Sequence, residues 1–159
     1  MRMTAAELRG RLGQIEPSPR MYEGFEASDV APLVELLRDD EPWMAARAVH
    51  ALLRIDVPAA HDALLKALGD ERPEVRVALA SGAPSAPTAI ADTLVATLLG
   101  DANVGVRKFA IRAVGASSGP AVRERLEAAL RTEPDAALKA LASERLRAMP
   151  GSHNNKSSD

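Results

Sequence analysis

A leucine, an aspartate and a bulky apolar residue recur together every 31 residues, and this internal repeat restricts the chain to folds made by stacking like units. Leu37, Leu68 and Leu99 hold the first position, Asp39, Asp70 and Asp101 the second, and Met44, Val75 and Val106 the third. Leu130 lies one further step along; its turn carries one extra residue, so Leu138 takes the place of Val106. A unit this short cannot bury its apolar stripe alone, so four copies predict a stack with one continuous core.

Each unit reads as helix, tight turn, helix. The first helices are expected to open near Ser28, Pro58, Pro87 and Pro120, where proline in the first turn forfeits only an N–H that has no helical partner. Leu33, Val34, Leu36 and Leu37 then follow helical spacing, as do Leu64, Leu65 and Leu68 in the next copy. Ile90, Leu94, Leu98 and Leu99 repeat that face, and so do Val122, Leu126, Ala129 and Leu130. The second helices follow turns in which Asp39 or Asp40, Asp70 and Asp101 can accept hydrogen bonds from free N–H groups. Their expected buried faces are Met44, Ala48, Ala51 and Leu52, then Val75, Leu79 and Ala83, then Val106, Ala110, Ala113 and Val114. Hydrophobic residues make up 47% of the chain and aromatics only 3%, so Ala, Leu and Val must build this core. Such side chains suit closely spaced helices better than sheets.

The segments Asp70-Glu71-Arg72-Pro73-Glu74-Val75-Arg76 and Asp101 through Val106-Arg107 carry a specific signature. They resemble the HEAT-like repeat of the bilin-lyase type, over roughly residues 29–149. The resemblance implies an all-α, right-handed solenoid of about four helix-turn-helix repeats, and implies that Arg76 and Arg107 reach the turn aspartate of a neighbouring unit. The chain departs from the pattern at Ala45 and Lys139, where Arg is expected, and at Thr132, where the turn Asp is expected. Ser81 through Pro87 shortens the second helix of the second unit, which predicts a break or bend there.

The ends differ from the middle. Residues 1–28 read as a capping helix and linker: Thr4 and Glu7 form a capping-box signature, with Leu8, Leu12 and Ile15 on one face. The linker Glu16-Pro17-Ser18-Pro19-Arg20 leads to Met21, Tyr22 and Phe25, which either seal the end of the core or form a docking arm. Residues 29–149 form the repeat domain, and residues 150–159 a polar tail expected to be disordered.

Composition removes several function classes. Lys and Arg total 20 against 22 Asp and Glu, a balance that argues against a dedicated nucleic-acid binder. The sequence contains no cysteine, hence no thiol nucleophile and no cysteine-held zinc. His50, His61 and His153 have no helical ligand partner at the i, i+4 spacing, and Asp39, Asp40 and Glu41 lack the spacing of a calcium loop. No phosphate-binding glycine loop or nucleophile elbow occurs. The expectation is a cytoplasmic, non-enzymatic protein with no metal, no cofactor and no membrane association.

The surface expected to bind is the outward stripe of the second helices, at two, three and six residues beyond Met44, Val75, Val106 and Leu138. It contains Arg47 and His50, then Val77, Ala78 and Ser81, then Lys108, Phe109 and Arg112, then Leu141 and Glu144. Arg47, Lys108 and Arg112 would pair with acidic groups, and Phe109 with Val77 would provide an apolar anchor. These residues predict a scaffold or adaptor that grips another protein. Nucleic-acid binding through the same cations, or partnership with a chromophore-attachment enzyme, are the alternatives.

Overall fold

The computed structural model describes residues 3–14 and 18–150. Ile15, Glu16 and Pro17, like the tail with His153, lie outside the described residues, so the expectations for them stand untouched. Nine α-helices and three 3₁₀ turns account for the regular structure among the described residues, which include no strand. Helix α1 spans Ala5–Leu12, α2 Val30–Leu37, α3 Pro42–Leu52, α4 Pro58–Ala67 and α5 Pro73–Gly82. Helix α6 spans Thr88–Leu98, α7 Val104–Ala113, α8 Pro120–Thr132 and α9 Ala136–Ala148.

The starts of these helices follow local chemistry. Proline occupies the first position of α3, α4, α5 and α8, where its fixed φ favours the helix. Thr4 Oγ1 accepts from the Glu7 N–H at 3.1 Å and Glu7 Oε2 accepts from the Thr4 N–H at 2.8 Å, closing a capping box on α1. Helix α2 opens two residues after Ser28, because Ala27–Asp29 first forms a 3₁₀ turn. The buried Asp29 carboxylate accepts from the Glu26 N–H at 2.9 Å and the Met3 N–H at 3.4 Å, tying that turn to the start of the chain.

The helices pack in two layers. The second helices, α3, α5, α7 and α9, stack in order as one inner layer, and each packs on its own first helix. Among those first helices, α2 packs on α4 and α6 on α8, whereas α4 and α6 form no close pair. The expected shortening of the second helix does not occur: α5 ends at Gly82, in the same register as α7 at Ala113. A 3₁₀ turn over Ala83–Ser85 follows and packs against α6, so the interruption is the one between α4 and α6. It is confined to the outer layer, because α5 and α7 remain tightly packed. Small residues permit close packing within the inner layer. A Cβ on Gly82 would lie 2.5 Å from Leu53 Cδ1 and 2.7 Å from His50 Nδ1, so only glycine lets the end of α5 approach these residues so closely.

The core is as expected from the repeat, with Met44, Val75 and Val106 fully enclosed and Leu138 nearly so. Helix α1 packs on α2 and α3 and buries Leu8 and Leu12 completely. Burying such a leucine contributes about 1.5–3 kcal/mol. Two expected core residues lie elsewhere: Leu65 is exposed, with Ala60, Ala63, Leu64 and Ala67 forming the buried face of α4 instead, and Ala129 is half-buried beside a cleft.

Candidate protein-binding surface on the inner helices

The turns between the paired helices share one construction. Asp39 Oδ1 accepts from the Glu41 N–H at 3.0 Å, Asp70 Oδ1 from the Arg72 N–H at 2.9 Å, and Asp101 Oδ1 from the Asn103 N–H at 2.9 Å. In the fourth repeat Glu133 Oε1 accepts from the Asp135 N–H at 3.1 Å. Glu133, rather than the Thr132 position, thus replaces the turn aspartate; the extra residue in this turn was the signal that could have located it. The side chains that cap helices α7 and α9 directly are Asn103 and Asp135, through the Val106 and Leu138 N–H groups.

A ladder of arginines connects these turns. Arg76 donates through Nε and Nη2 to Asp101 at 2.8 and 3.2 Å, and through Nη1 to the Asp70 carbonyl at 2.8 Å. Arg107 donates through Nε and Nη2 to Glu133 at 2.9 and 3.1 Å, and to the Asp101 carbonyl at 3.0 Å. Ala45 breaks the series, and Arg72 fills the gap from the other side. It holds Asp70 at 3.0 and 2.9 Å and donates to the Leu37 and Asp39 carbonyls, each at 2.6 Å. Arg9 of α1 pairs with Asp39, so the capping helix stands in for a preceding repeat.

These contacts set the charge states. The Arg107 hydrogen bond holds the Glu133 carboxyl below its usual range against the opposing effect of burial. Arg72 does the same for Asp70. At Asp101 burial is the largest influence and pushes upward, but the Arg76 and Asn103 hydrogen bonds together leave the carboxyl lowered.

The first step of the expected stripe is covered by the chain itself. Arg47 donates to the Leu12 and Gln14 carbonyls at and beyond the end of α1, and its guanidinium lies 5.0 Å from the centre of the Trp43 ring. The His50 ring is half-buried, with Tyr22 tilted against it at 5.8 Å. The Arg54 guanidinium also lies over the Tyr22 ring, at 5.2 Å. Burial, then the Arg54 charge, lowers the His50 pKa; burial raises that of Tyr22 despite Arg47 and Arg54. With Met21 buried and Phe25 under the Arg11 guanidinium at 4.4 Å, this arm seals the first repeat.

The other steps differ among themselves. The position three residues beyond the repeat apolar residue turns toward the core, not outward. Ala78 is therefore buried, and Phe109 and Leu141 are half-buried or packed against the core. Val77 is half-buried too, so the apolar centre is less open than its sequence positions imply. Ser81, Lys108 and Arg112 are exposed, and Arg112 extends over the Phe109 ring at 5.8 Å. The structure thus brings Lys108, Phe109 and Arg112 together on α7 and separates them from Arg47 and His50.

A cleft of about 630 Å³ opens on the outer layer between α6 and α8, and one of about 400 Å³ lies at the turns, lined by Asp101, Arg107, Glu133 and the second half of α8; Arg125 and Ala128 border both. Neither contains a nucleophile–base pair. Among the described residues no group of three His, Asp or Glu side chains could hold a metal ion. His61 has the carboxylate of Asp56 at 3.1 Å on the outer layer. No helix among the described residues is long and apolar enough to cross a membrane.

Two layers of paired helices, with an arginine ladder along their turns, define the chain as an all-α, HEAT-like repeat solenoid. Residues 30–85 match the family of HEAT repeats, a stretch that covers the first two repeats through the turn after α5. No curated protein matches the chain.

Proposed function

We propose that this chain is a non-catalytic, cytoplasmic protein-binding scaffold or adaptor that holds a protein segment along its inner helices. The observation that carries this reading is the sorting of charge between the layers. The four inner helices contain eight Lys or Arg and only two acids, Glu74 and Glu144. The four outer helices contain four Lys or Arg and five acids. A HEAT-like stack presents its inner helices as one extended surface, which is what these folds offer a partner.

The test is a pull-down from native lysate with the wild type beside an Arg112→Glu/Phe109→Ala variant of equal helicity. A partner retained by the wild type and lost by the variant supports the reading. An identical set of retained proteins overturns it.

The turn signature around Asp70–Arg76 and Asp101–Arg107 supports a second reading, partnership with a chromophore-attachment enzyme as in the bilin-lyase type. Visible absorbance of the purified protein, or co-purification with a bilin protein, is the result that reading requires.

A further inference from the structure

We infer that the partner segment is acidic and is seated on the α7–α9 half of the inner face, with Lys108 and Arg112 as its charged grips. This inference rests on the scaffold reading above and adds the partner's chemistry and its location.

The location follows from which cations are already engaged. On α3, Arg47 is turned to the carbonyls of Leu12 and Gln14, and Tyr22 covers His50. On α5 the sole cation, Arg76, is locked to Asp101. On α7, Arg107 is locked to Glu133, but Lys108 and Arg112 are exposed and have no acid within ion-pair reach among the described residues. The accessible positive charge of the inner face therefore begins at α7.

The partner's chemistry follows from how these two cations are presented. The Arg112 guanidinium lies over the Phe109 ring, 5.8 Å from its centre, and none of its N–H groups along either edge is engaged in a hydrogen bond or ion pair among the described residues. A carboxylate is the planar acceptor that such an edge fits in bidentate fashion. Lys108 lies one helical turn away, about 6 Å along the helix axis. Alternate residues of an extended chain are about 6.6 Å apart. An extended segment with acids at alternate positions can therefore meet both cations, while its other side chains face the half-buried edge of Phe109.

The probe is a fluorescein-labelled peptide of alternating Glu and Ala, titrated against the full chain by anisotropy beside the equivalent Lys and Ala peptide. The wild type should bind the acidic peptide alone, more weakly as salt rises. Lys108→Glu/Arg112→Glu should lower that affinity by at least about tenfold. Arg38→Glu/Lys66→Glu, on the α2 and α4 side, should leave it unchanged, with circular dichroism confirming the fold of each variant. Absence of wild-type binding, equal loss in both variants, or tighter binding of a single-stranded oligonucleotide at the same salt overturns the inference. A native partner lost on Arg112→Glu/Phe109→Ala without any binding of the acidic peptide overturns it while leaving the scaffold reading intact.

Discussion

Arg107 spans the boundary between the third and fourth repeats to hold Glu133 through two hydrogen bonds, at 2.9 and 3.1 Å. The Glu133 side chain is only 3% exposed, so its carboxylate is almost wholly removed from water. Removing one member of such a pair leaves an uncompensated buried charge. Arg107→Ala should therefore destabilise the chain by about 3–5 kcal/mol, read as a fall in the urea midpoint. Glu133→Gln, which retains an acceptor for the Asp135 N–H, should cost less.

The same pairs set the response to acid. Asp70, Asp101 and Glu133 all have carboxyls lowered in the fold, so the unfolded chain binds protons first as pH falls. Their stabilisation is complete above the unfolded values near pH 4 and is lost as pH falls through the lower folded values. Thermal melts below about pH 4 should show this loss, and Glu133→Gln should flatten it.

His50 adds a separate step at milder pH. Its folded pKa lies below the ordinary 6.5, and the groups around it are Tyr22 from the arm, Arg54 just past the end of α3 and Gly82 from α5. None of these is a carboxylate, so protonation gains no ion pair from them. Stability from this site is full above pH 6.5 and declines as pH falls from there through the folded value. A His50→Gln variant should lose that component of the melting curve while retaining the carboxylate step.

Gly82→Ala should destabilise the chain although alanine favours helices. The added Cβ meets Leu53 Cδ1 at 2.5 Å and His50 Nδ1 at 2.7 Å, so two side chains must shift at once, and Leu53 is 1% exposed. Overpacking of this kind costs about 1–3 kcal/mol, against about 1 kcal/mol gained from propensity. A lowered melting temperature is the expected readout.

Ala45→Arg restores the residue type that the repeat pattern asks for, and should nonetheless be harmful. Ala45 is fully enclosed, and both oxygens of Asp70 are already held by Arg72. The new cation would have no free acid there, at a cost of about 3 kcal/mol, read as a lowered urea midpoint. Adding Arg72→Ala to that variant should recover part of the loss. Asp70 would then be open to the introduced guanidinium, in the manner of Arg76 and Asp101.

Most of the architecture was legible because every repeat solves one packing problem in one register. Leu37, Leu68 and Leu99 fix that register, and the resemblance to HEAT-like repeats implies the reach of Arg76 to a neighbouring turn, where it holds Asp101. Glu133 escaped because an inserted residue shifted the acid and a longer side chain replaced aspartate. The outward stripe is one position narrower than its spacing predicts, since spacing gives a helix its faces but only the neighbouring helices decide how it is rotated. Ala78 and Phe109 show this directly: both turn toward the core. The seat of Tyr22 on His50 joins residues 28 positions apart and leaves no periodic trace.

The gap between α4 and α6 gives the stack a mechanical asymmetry. With α5 and α7 held together and α4 and α6 beside them not closely packed, the inner layer resembles the spine of a book and the outer layer its covers. A bend between the second and third repeats that pivots on this spine opens the outer side and leaves the length of the inner side little altered, as a matter of geometry. A segment held along the inner helices, as proposed above, would keep its footing while the outer helices part.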